Sequence, residues 1–168
     1  WCGEKVGVDI DADGAVALPD LELFAASPHA SMVKDLSIAG IGRNNFTKVA
    51  TLSGTEKTDV DDLKAKLAAS DARGKIVIAS SGTVNATDFD DLTVIADLCA
   101  AYGAWLHVDA AFGMFAALDD RRSHLLAGLD RADSITSDGH KWLNVPYDCG
   151  IFLTRHIGVL EKCCRAFA

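Results

Sequence analysis

The sequence lacks any block of basic residues and any apolar run long enough to cross a membrane. Its 24 acidic and 16 basic residues give a formal net charge of −8, which would repel a nucleic-acid backbone overall. A membrane-spanning helix needs roughly 20 consecutive apolar residues, and the first residues show no basic start followed by an apolar stretch. We therefore expect a soluble, cytoplasmic protein that binds neither nucleic acid nor membranes.

The sequence also lacks the cysteine spacing of a zinc site or of a disulfide-stapled domain. Its 5 cysteines are odd in number, include no C-x-x-C pair and have no histidine at metal-ligand spacing. We expect reduced thiols and no metal site. No repeat or linker is visible, and the 168 residues, 49% of them hydrophobic, suffice for one domain with a core. We expect residues 1–168 to form a single domain. Residues 1–20 are poorly assigned, because their pattern predicts no helix or strand.

Hydrophobic periodicity and capping residues predict an alternation of helices and strands. Helices are predicted over residues 28–40, from Thr58 to near Gly74, from Thr87 to Gly103 and around residues 124–126. Strands are predicted over residues 48–52, 75–80, 105–110, 134–136 and 150–154. This order is typical of an α/β fold with a mainly parallel sheet covered by helices. Such sheets bind ligands at the carboxyl ends of their strands, where three polar segments fall: Ser80-Ser81-Gly82-Thr83, Asp109-Ala110-Ala111 and Asp138-Gly139-His140-Lys141.

Asp109 lies at the end of one predicted strand. Because side chains alternate across a strand, residues 105, 107, 109 and 111 should share one face and residues 106, 108 and 110 the other. This places the Asp109 carboxylate in the crevice at the strand's mouth, where a pyridinium N–H would offer it a hydrogen bond of about 1.5–3 kcal/mol. The alternative is that Asp109 caps the following turn or pairs with a nearby cation.

Lys141 follows another predicted strand and Gly139, a position from which its long stem could reach back to a bound aldehyde. A lysine on such a turn is ordinarily a surface residue with a solvated ammonium group. Its neighbours His140 and Trp142, however, are an unusual pair for a solvated turn. A lysine that can hold an aldehyde and an aspartate that can keep a pyridine nitrogen protonated are what a pyridoxal-phosphate site needs.

Two longer segments carry a family resemblance: His107-Val108-Asp109-Ala110-Ala111-Phe112-Gly113 and Asp138-Gly139-His140-Lys141-Trp142-Leu143-Asn144-Val145-Pro146-Tyr147-Asp148-Cys149-Gly150. They resemble segments of the group II pyridoxal-phosphate-dependent amino acid decarboxylases, which include aromatic amino acid, histidine and glutamate decarboxylases. Ser80-Ser81-Gly82-Thr83 and Ser27-Pro28-His29-Ala30-Ser31 extend the similarity over the chain from about residue 20 onward. The resemblance implies the large cofactor-binding domain of a fold-type I pyridoxal-phosphate enzyme.

Carried over residue by residue, the resemblance implies three catalytic residues. Lys141 would be the Schiff-base lysine, Asp109 the partner of the pyridine nitrogen, and His29 the imidazole that stacks on the cofactor ring. Without the resemblance, a histidine near a helix start is more often a cap or a surface group. A ring stacked on the pyridinium would hold it planar and exclude water.

The resemblance implies three further cofactor contacts. Thr83 would lie near the edge of the ring, Ala111 against the face opposite His29, and His140 beside the phosphate. Asp138 is left out of the predicted site, because a carboxylate cannot donate a hydrogen bond to a phosphate.

By resemblance, the activity is pyridoxal-phosphate-dependent decarboxylation of an L-amino acid by a carboxy-lyase that is a homodimer when full length. Family members also have an upstream Gly/Ser/Thr-rich phosphate loop and a downstream loop with a catalytic tyrosine, neither of which is visible in this sequence. We therefore expect the chain to be the central part of a longer polypeptide and to be inactive alone. The alternatives are another fold-type I enzyme, namely an aldehyde synthase, aminotransferase or desulfurase, and an inactive truncated module.

Overall fold

The computed structural model describes residues 1–14 and 20–164, which contain one six-stranded sheet. All neighbouring strands pair in parallel except the last two, which are antiparallel. The predicted mainly parallel α/β sheet is therefore confirmed, although the first strand and the antiparallel direction of the last were not predicted. In the spatial order β2-β1-β3-β4-β5-β6, the strands are β1 (Leu21–Ala25), β2 (Thr47–Lys48), β3 (Gly74–Ser80), β4 (Trp105–Asp109), β5 (Ser134–Asp138) and β6 (Gly150–Thr154).

The described residues form seven α-helices, none of which is long and apolar enough to cross a membrane. They are α1 (Cys2–Val6), α2 (Ile10–Asp13), α3 (Ala30–Ile38), α4 (Val60–Ala69), α5 (Leu92–Tyr102), α6 (Gly139–Trp142) and α7 (Ile157–Cys164). Three 3-10 helices join β4 to β5 where one helix was predicted: Met114–Leu118, Ser123–Leu126 and Leu129–Arg131. Thus α1 and α2 occupy the poorly assigned N-terminal segment, of which residues 15–19 lie outside the described residues.

The N-terminus of α4 is capped by Asp59 and not by Thr58. Asp59 Oδ1 accepts hydrogen bonds from the backbone N–H groups of Asp61 at 3.0 Å and Asp62 at 3.2 Å. These donors have no partner inside the helix, and a carboxylate at the N-cap satisfies them. Its negative charge also interacts favourably with the positive end of the helix dipole. The prediction of Thr58 as the cap was wrong by one residue, and the helix ends at Ala69, well before Gly74.

The N-terminus of α5 begins four residues later than predicted, because its cap is Asp91 and not Thr87. Asp91 Oδ1 accepts from the N–H three residues later at 3.1 Å. Asp90, predicted to lie in the first turn, is buried and accepts from the backbone N–H groups of Thr58 at 2.6 Å and Ser80 at 2.8 Å. Burial raises the pKa of Asp90, while those hydrogen bonds oppose the rise. Asp90 thereby ties the start of the α4 region to the end of β3.

The hydrophobic core lies between one face of the sheet and the helices α4 and α5. On β4 and just beyond it, Leu106, Val108 and Ala110 are at most 1% exposed, and they cluster with Ile95 of α5 and Leu63 of α4. Burying a leucine or valine side chain stabilises a fold by about 1.5–3 kcal/mol. The intervening residues 105, 107 and 109 of β4 are only half-buried, so the predicted alternation along this strand is confirmed.

The parallel arrangement brings the carboxyl ends of β3, β4 and β5 to one edge of the sheet. Ser80, the last residue of β3, pairs with Asp109, the last residue of β4, and Asp109 pairs with Thr136 of β5. Segments that leave these strands must therefore meet at this edge.

Candidate active site

The site is built around the point where β4 leaves the sheet. Asp109 points away from the core, and its Oδ1 accepts a hydrogen bond from the Ala111 N–H at 3.1 Å. The Asp109 carbonyl oxygen accepts from the Ser81 N–H at 2.8 Å, which joins the ends of β3 and β4 beyond the regular ladder. A carboxylate can accept further hydrogen bonds after the first. Asp109 is therefore fixed in place and still able to accept a donor from the crevice.

His107 lies one pleat below Asp109 on the same face of β4. Its Nδ1 is 2.8 Å from Ser134 Oγ, which accepts a hydrogen bond from Trp105 Nε1 at 2.8 Å, and its Nε2 is 3.4 Å from Thr136 Oγ1. Burial lowers the pKa of His107, although the charge of Asp109 acts in the opposite direction. His107 is thus a neutral imidazole with hydrogen-bond partners at both ring nitrogens. Its position on the same face as Asp109 agrees with the predicted strand parity.

Lys141 is presented by the single-turn helix α6, which follows β5 directly. A Cβ atom on Gly139, the first residue of α6, would lie 2.6 Å from Cys149 Sγ, so a side chain there would push the turn away from the following loop. Lys141 Nζ lies 2.9 Å from Asp138 Oδ2 and 4.3 Å from the centre of the Phe112 ring. The side chain of Lys141 is 21% exposed, so this amine is held against the wall of the crevice and is not a freely solvated surface group.

His140 is oriented by its own neighbours. Its Nδ1 accepts a hydrogen bond from the Cys149 N–H at 3.2 Å. A backbone N–H can only donate, so the neutral imidazole carries its hydrogen on Nε2. Nε2 lies 3.7 Å from Asp138 Oδ2, and the ring of Tyr147 stacks on the imidazole at 4.0 Å between centroids. His140 therefore presents a donor on the side of Asp138 and Lys141.

His29 is the N-cap residue of α3 and stands exposed at the lip of the crevice. Its Nδ1 accepts from the Ser31 N–H at 3.2 Å and lies 2.8 Å from Ser31 Oγ. The imidazole is therefore held at one edge while its two faces stay free of that contact. The capping role and the predicted stacking role are compatible in one side chain.

Thr83 and Glu56 contact each other at the turn that follows β3. Thr83 Oγ1 accepts from the Asp88 N–H at 3.0 Å, which closes the turn after β3. Glu56 accepts from Asn85 Nδ2 at 2.8 Å and from the Ala86 N–H at 3.1 Å. Hydrogen bonds from Thr83, Asn85 and Ala86 lower the pKa of Glu56, so this carboxylate is charged at neutral pH.

These segments enclose a cavity of about 750 Å³. All of the sequence-predicted site residues line it: His29, Thr83, Asp109, Ala111, His140 and Lys141. Their placement in one cavity leaves their individual roles as predictions.

Several further residues that line the cavity were not predicted from the sequence, among them Glu56, Phe112, Asp138 and Tyr147. Phe112 and Tyr147 lie within the recognised segments, but nothing in their spacing indicated the contacts with Lys141 and His140. Asp138 was not expected there, because a carboxylate cannot donate a hydrogen bond to a phosphate. Glu56 carried no signal, since it comes from a loop between β2 and α4.

Comparison with known proteins places these features in a family. The family described as "Pyridoxal-dependent decarboxylase conserved domain" matches residues 15–167. Over 161 residues the chain is 36% identical to cysteine sulfinic acid decarboxylase of Rattus norvegicus, covering 94% of this chain and 32% of that protein. It is 36% identical over 145 residues to aromatic-L-amino-acid decarboxylase of Bacillus atrophaeus, covering 84% of this chain and 30% of that protein.

Solved structures agree with the sequence comparison. The crystal structure of mouse CSAD superimposes with a TM-score of 0.89 at 32% identity, covering 99% of this chain and 36% of that one. Oryza sativa TDC, solved with PLP, superimposes with a TM-score of 0.81 at 30% identity, covering 95% of this chain and 34% of that one. The chain thus spans about a third of the length of these relatives. With the family's domain matched over nearly the whole sequence, this chain belongs to the pyridoxal-dependent decarboxylases.

Proposed function

We propose that the full-length protein is a pyridoxal-phosphate-dependent carboxy-lyase that converts an L-amino acid into an amine and CO2. The observation that carries the proposal is the convergence of segments following β1, β3, β4 and β5 on one cavity that contains both Lys141 and Asp109. An amine and a carboxylate in one polar-lined cleft at the carboxyl ends of parallel strands are the pattern of a reactive site.

The residues present fit pyridoxal phosphate. The cavity of about 750 Å³ lies within the range of roughly 300–1,000 Å³ that is usual for cofactor pockets. Lys141 offers a half-buried amine for the aldehyde, Asp109 a carboxylate with free acceptor capacity, and His140 an Nε2–H donor for a phosphate oxygen. These three groups match three parts of the cofactor, namely its aldehyde, its pyridine nitrogen and its phosphate.

When bound, pyridoxal phosphate supplies an electron sink for the electron pair that remains on Cα when CO2 leaves. Lys141 would hold the cofactor covalently until a substrate amine replaces it. Asp109 would keep the proton on the pyridine nitrogen, since its negative charge favours a cation there. His29, Thr83 and Ala111 would contact the ring and exclude water from it.

We also propose a homodimer in the cytoplasm. Support for the dimer comes from apolar side chains exposed beside the site: Trp142 is 54% exposed, Leu143 49% and Tyr147 79%. Clustered exposed apolar residues mark surfaces that other protein segments cover. The substrate class remains an L-amino acid, because the relatives named above act on both acidic and aromatic amino acids.

The test uses the full-length protein loaded with pyridoxal phosphate and a panel of cysteine sulfinate, glutamate, aspartate, phenylalanine and tryptophan. Evolved CO2 and the organic product are measured together, with the Lys141→Ala variant as the blank. We expect CO2 and an amine in equal amounts from at least one substrate. An aldehyde as the product would instead indicate an aldehyde synthase, and a keto acid without CO2 an aminotransferase. A full-length protein that binds the cofactor but consumes none of the panel would overturn the proposal.

A further inference from the structure

The ion pair between Lys141 and Asp138 is the feature of the site that the proposed chemistry does not use. Lys141 Nζ lies 2.9 Å from Asp138 Oδ2, and the two side chains are 21% and 26% exposed. Asp138 occupies the N-cap position of α6, but its side chain makes no capping hydrogen bond. Its carboxylate is directed to Lys141 and not to the backbone of the helix that it precedes.

Two groups contact the ammonium group of Lys141. Besides its contact with the Asp138 carboxylate, Nζ lies 4.3 Å from the centre of the Phe112 ring, within the range of a cation–π contact. His140 Nε2 lies 3.7 Å from the same Asp138 oxygen, so the imidazole shares this carboxylate with Lys141. Asp35, Glu56 and Asp109 add further carboxylates to the lining of the cavity. The Lys141 side chain is thus restrained by a carboxylate and an aromatic ring at its charged end.

We propose that Asp138 is a positioning residue that restrains the Lys141 side chain through their ion pair and so delays its reaction with aldehydes. An amine attacks a carbonyl carbon only through its free electron pair, so the ammonium must first lose a proton and leave the carboxylate. The functional meaning of this restraint rests on the proposed role of Lys141 in cofactor attachment. The restraint itself follows from the distances of Lys141 Nζ to Asp138 and to the Phe112 ring.

The experiment compares two lysines within one protein. Full-length protein stripped of cofactor is labelled briefly with formaldehyde and cyanoborohydride, and the methylation of Lys141 and Lys66 is quantified by peptide mass spectrometry. Lys66 is a matched internal reference because it pairs with Asp62 at 2.5 Å, with side chains 31% and 27% exposed. Asp138→Asn should raise the Lys141-to-Lys66 labelling ratio roughly two- to fivefold, the effect expected of a partly exposed ion pair.

Asp62→Asn is the matched control. It should raise the labelling of Lys66, lower the ratio and leave the labelling rate of Lys141 at its parental value. If Asp138→Asn fails to fold, Asp138→Ser provides a second variant with a good N-cap residue. In addition, salt screens partly exposed charges, so increasing salt should speed Lys141 labelling in the parent protein. A ratio unchanged by Asp138→Asn or Asp138→Ser, or parental labelling of Lys141 that is insensitive to salt, would overturn the proposal.

The outcome is independent of the decarboxylase activity, because the labelling uses neither substrate nor cofactor. A raised ratio in a protein that forms no amine would retain the role of Asp138 and reject the proposed function. An unchanged ratio in a protein that forms amine would reject the role of Asp138 and retain the proposed function.

Discussion

The Ala111 N–H donates to Asp109 Oδ1 at 3.1 Å, at the point where β4 leaves the sheet. This contact holds the carboxylate toward the cavity and not along the strand. The Ala111 N–H needs only an oxygen acceptor, and the side-chain oxygen of an asparagine could accept this hydrogen bond equally well. The charge of Asp109 can therefore be removed while its position is kept.

Asp109→Asn should preserve the fold and the hydrogen bond from Ala111 but slow the proposed decarboxylation by the full-length protein about thirtyfold to a thousandfold. The reason is the loss of roughly 2–4 kcal/mol of charge stabilisation at the pyridine nitrogen. Steady-state rates with saturating cofactor provide the measurement, and Asp130→Asn, at an exposed position, provides the control. Parental turnover in Asp109→Asn with normally bound cofactor would exclude the proposed role.

Lys141→Arg should abolish covalent attachment of the cofactor while keeping a positive charge beside Asp138. Arginine is protonated at all relevant pH values and cannot act as an amine nucleophile, so borohydride treatment should no longer fix the cofactor to the chain. Mass spectrometry of the reduced full-length protein measures this directly. Lys66→Arg, in the comparable pair with Asp62, should leave the borohydride-fixed attachment of the cofactor intact. Cofactor found on another lysine in the parent protein would show the assignment to be wrong.

His29 variants can separate the capping role from the stacking role. His29→Asn should keep the cap of α3 but lose the ring, whereas His29→Phe should keep a ring but lose the acceptor for the Ser31 N–H. We expect cofactor retention to follow the ring and thermal stability to follow the cap, whose loss costs about 0.5–2 kcal/mol. Equilibrium dialysis and thermal unfolding of the full-length protein give the two readouts. Equal retention in both variants would argue against stacking.

Local sequence signals predicted the parts of the structure that depend on local physics. The alternation along β4 placed Asp109 correctly because strand parity follows from backbone geometry alone. The caps at Asp59 and Asp91 were missed because several neighbouring residues of each segment could cap equally well, and tertiary contacts such as the burial of Asp90 select between them.

Contacts between distant segments were beyond local signals. Thr47 and Lys48 add to the edge of the sheet through pairing with β1, a strand that was itself not predicted. Glu56 reaches the cavity because Asn85 and Ala86 bind it across 29 and 30 residues of sequence. By contrast, the six residues predicted for the site lie in segments with a recognisable family pattern, and all six line the cavity.

His107, half-buried beneath the site, should make stability depend on pH. Burial lowers the pKa of His107 below its ordinary value of 6.5, despite the opposing charge of Asp109. Below pH 6.5 the unfolded chain therefore binds a proton on this residue before the folded chain does. The free energy of unfolding should fall as the pH drops through this window, by at most about 1.4 kcal/mol per pH unit.

His107→Gln removes this contribution, so its free energy of unfolding should change less between pH 7 and pH 5 than that of the parent. Denaturant unfolding of the full-length protein at a series of pH values measures the difference. His124→Gln, at an exposed histidine, should keep the parental slope. An NMR titration that places the midpoint of His107 at or above about 6.5 would contradict the expectation.

Gly113 permits the close approach of the β3 and β4 loops that forms one wall of the site. Its N–H donates to the Ser81 carbonyl oxygen at 3.0 Å, and a Cβ atom added to Gly113 would lie 2.3 Å from that same oxygen. Gly113→Ala should therefore separate the loops, destabilise the fold by roughly 1–3 kcal/mol as overpacking does, and weaken cofactor retention by displacing Ala111. Gly150→Ala is the matched control, since a Cβ there meets nothing within 4 Å. Urea unfolding and cofactor dialysis on the full-length protein should both distinguish the two variants, and equal behaviour of the two would show that this contact does not shape the site.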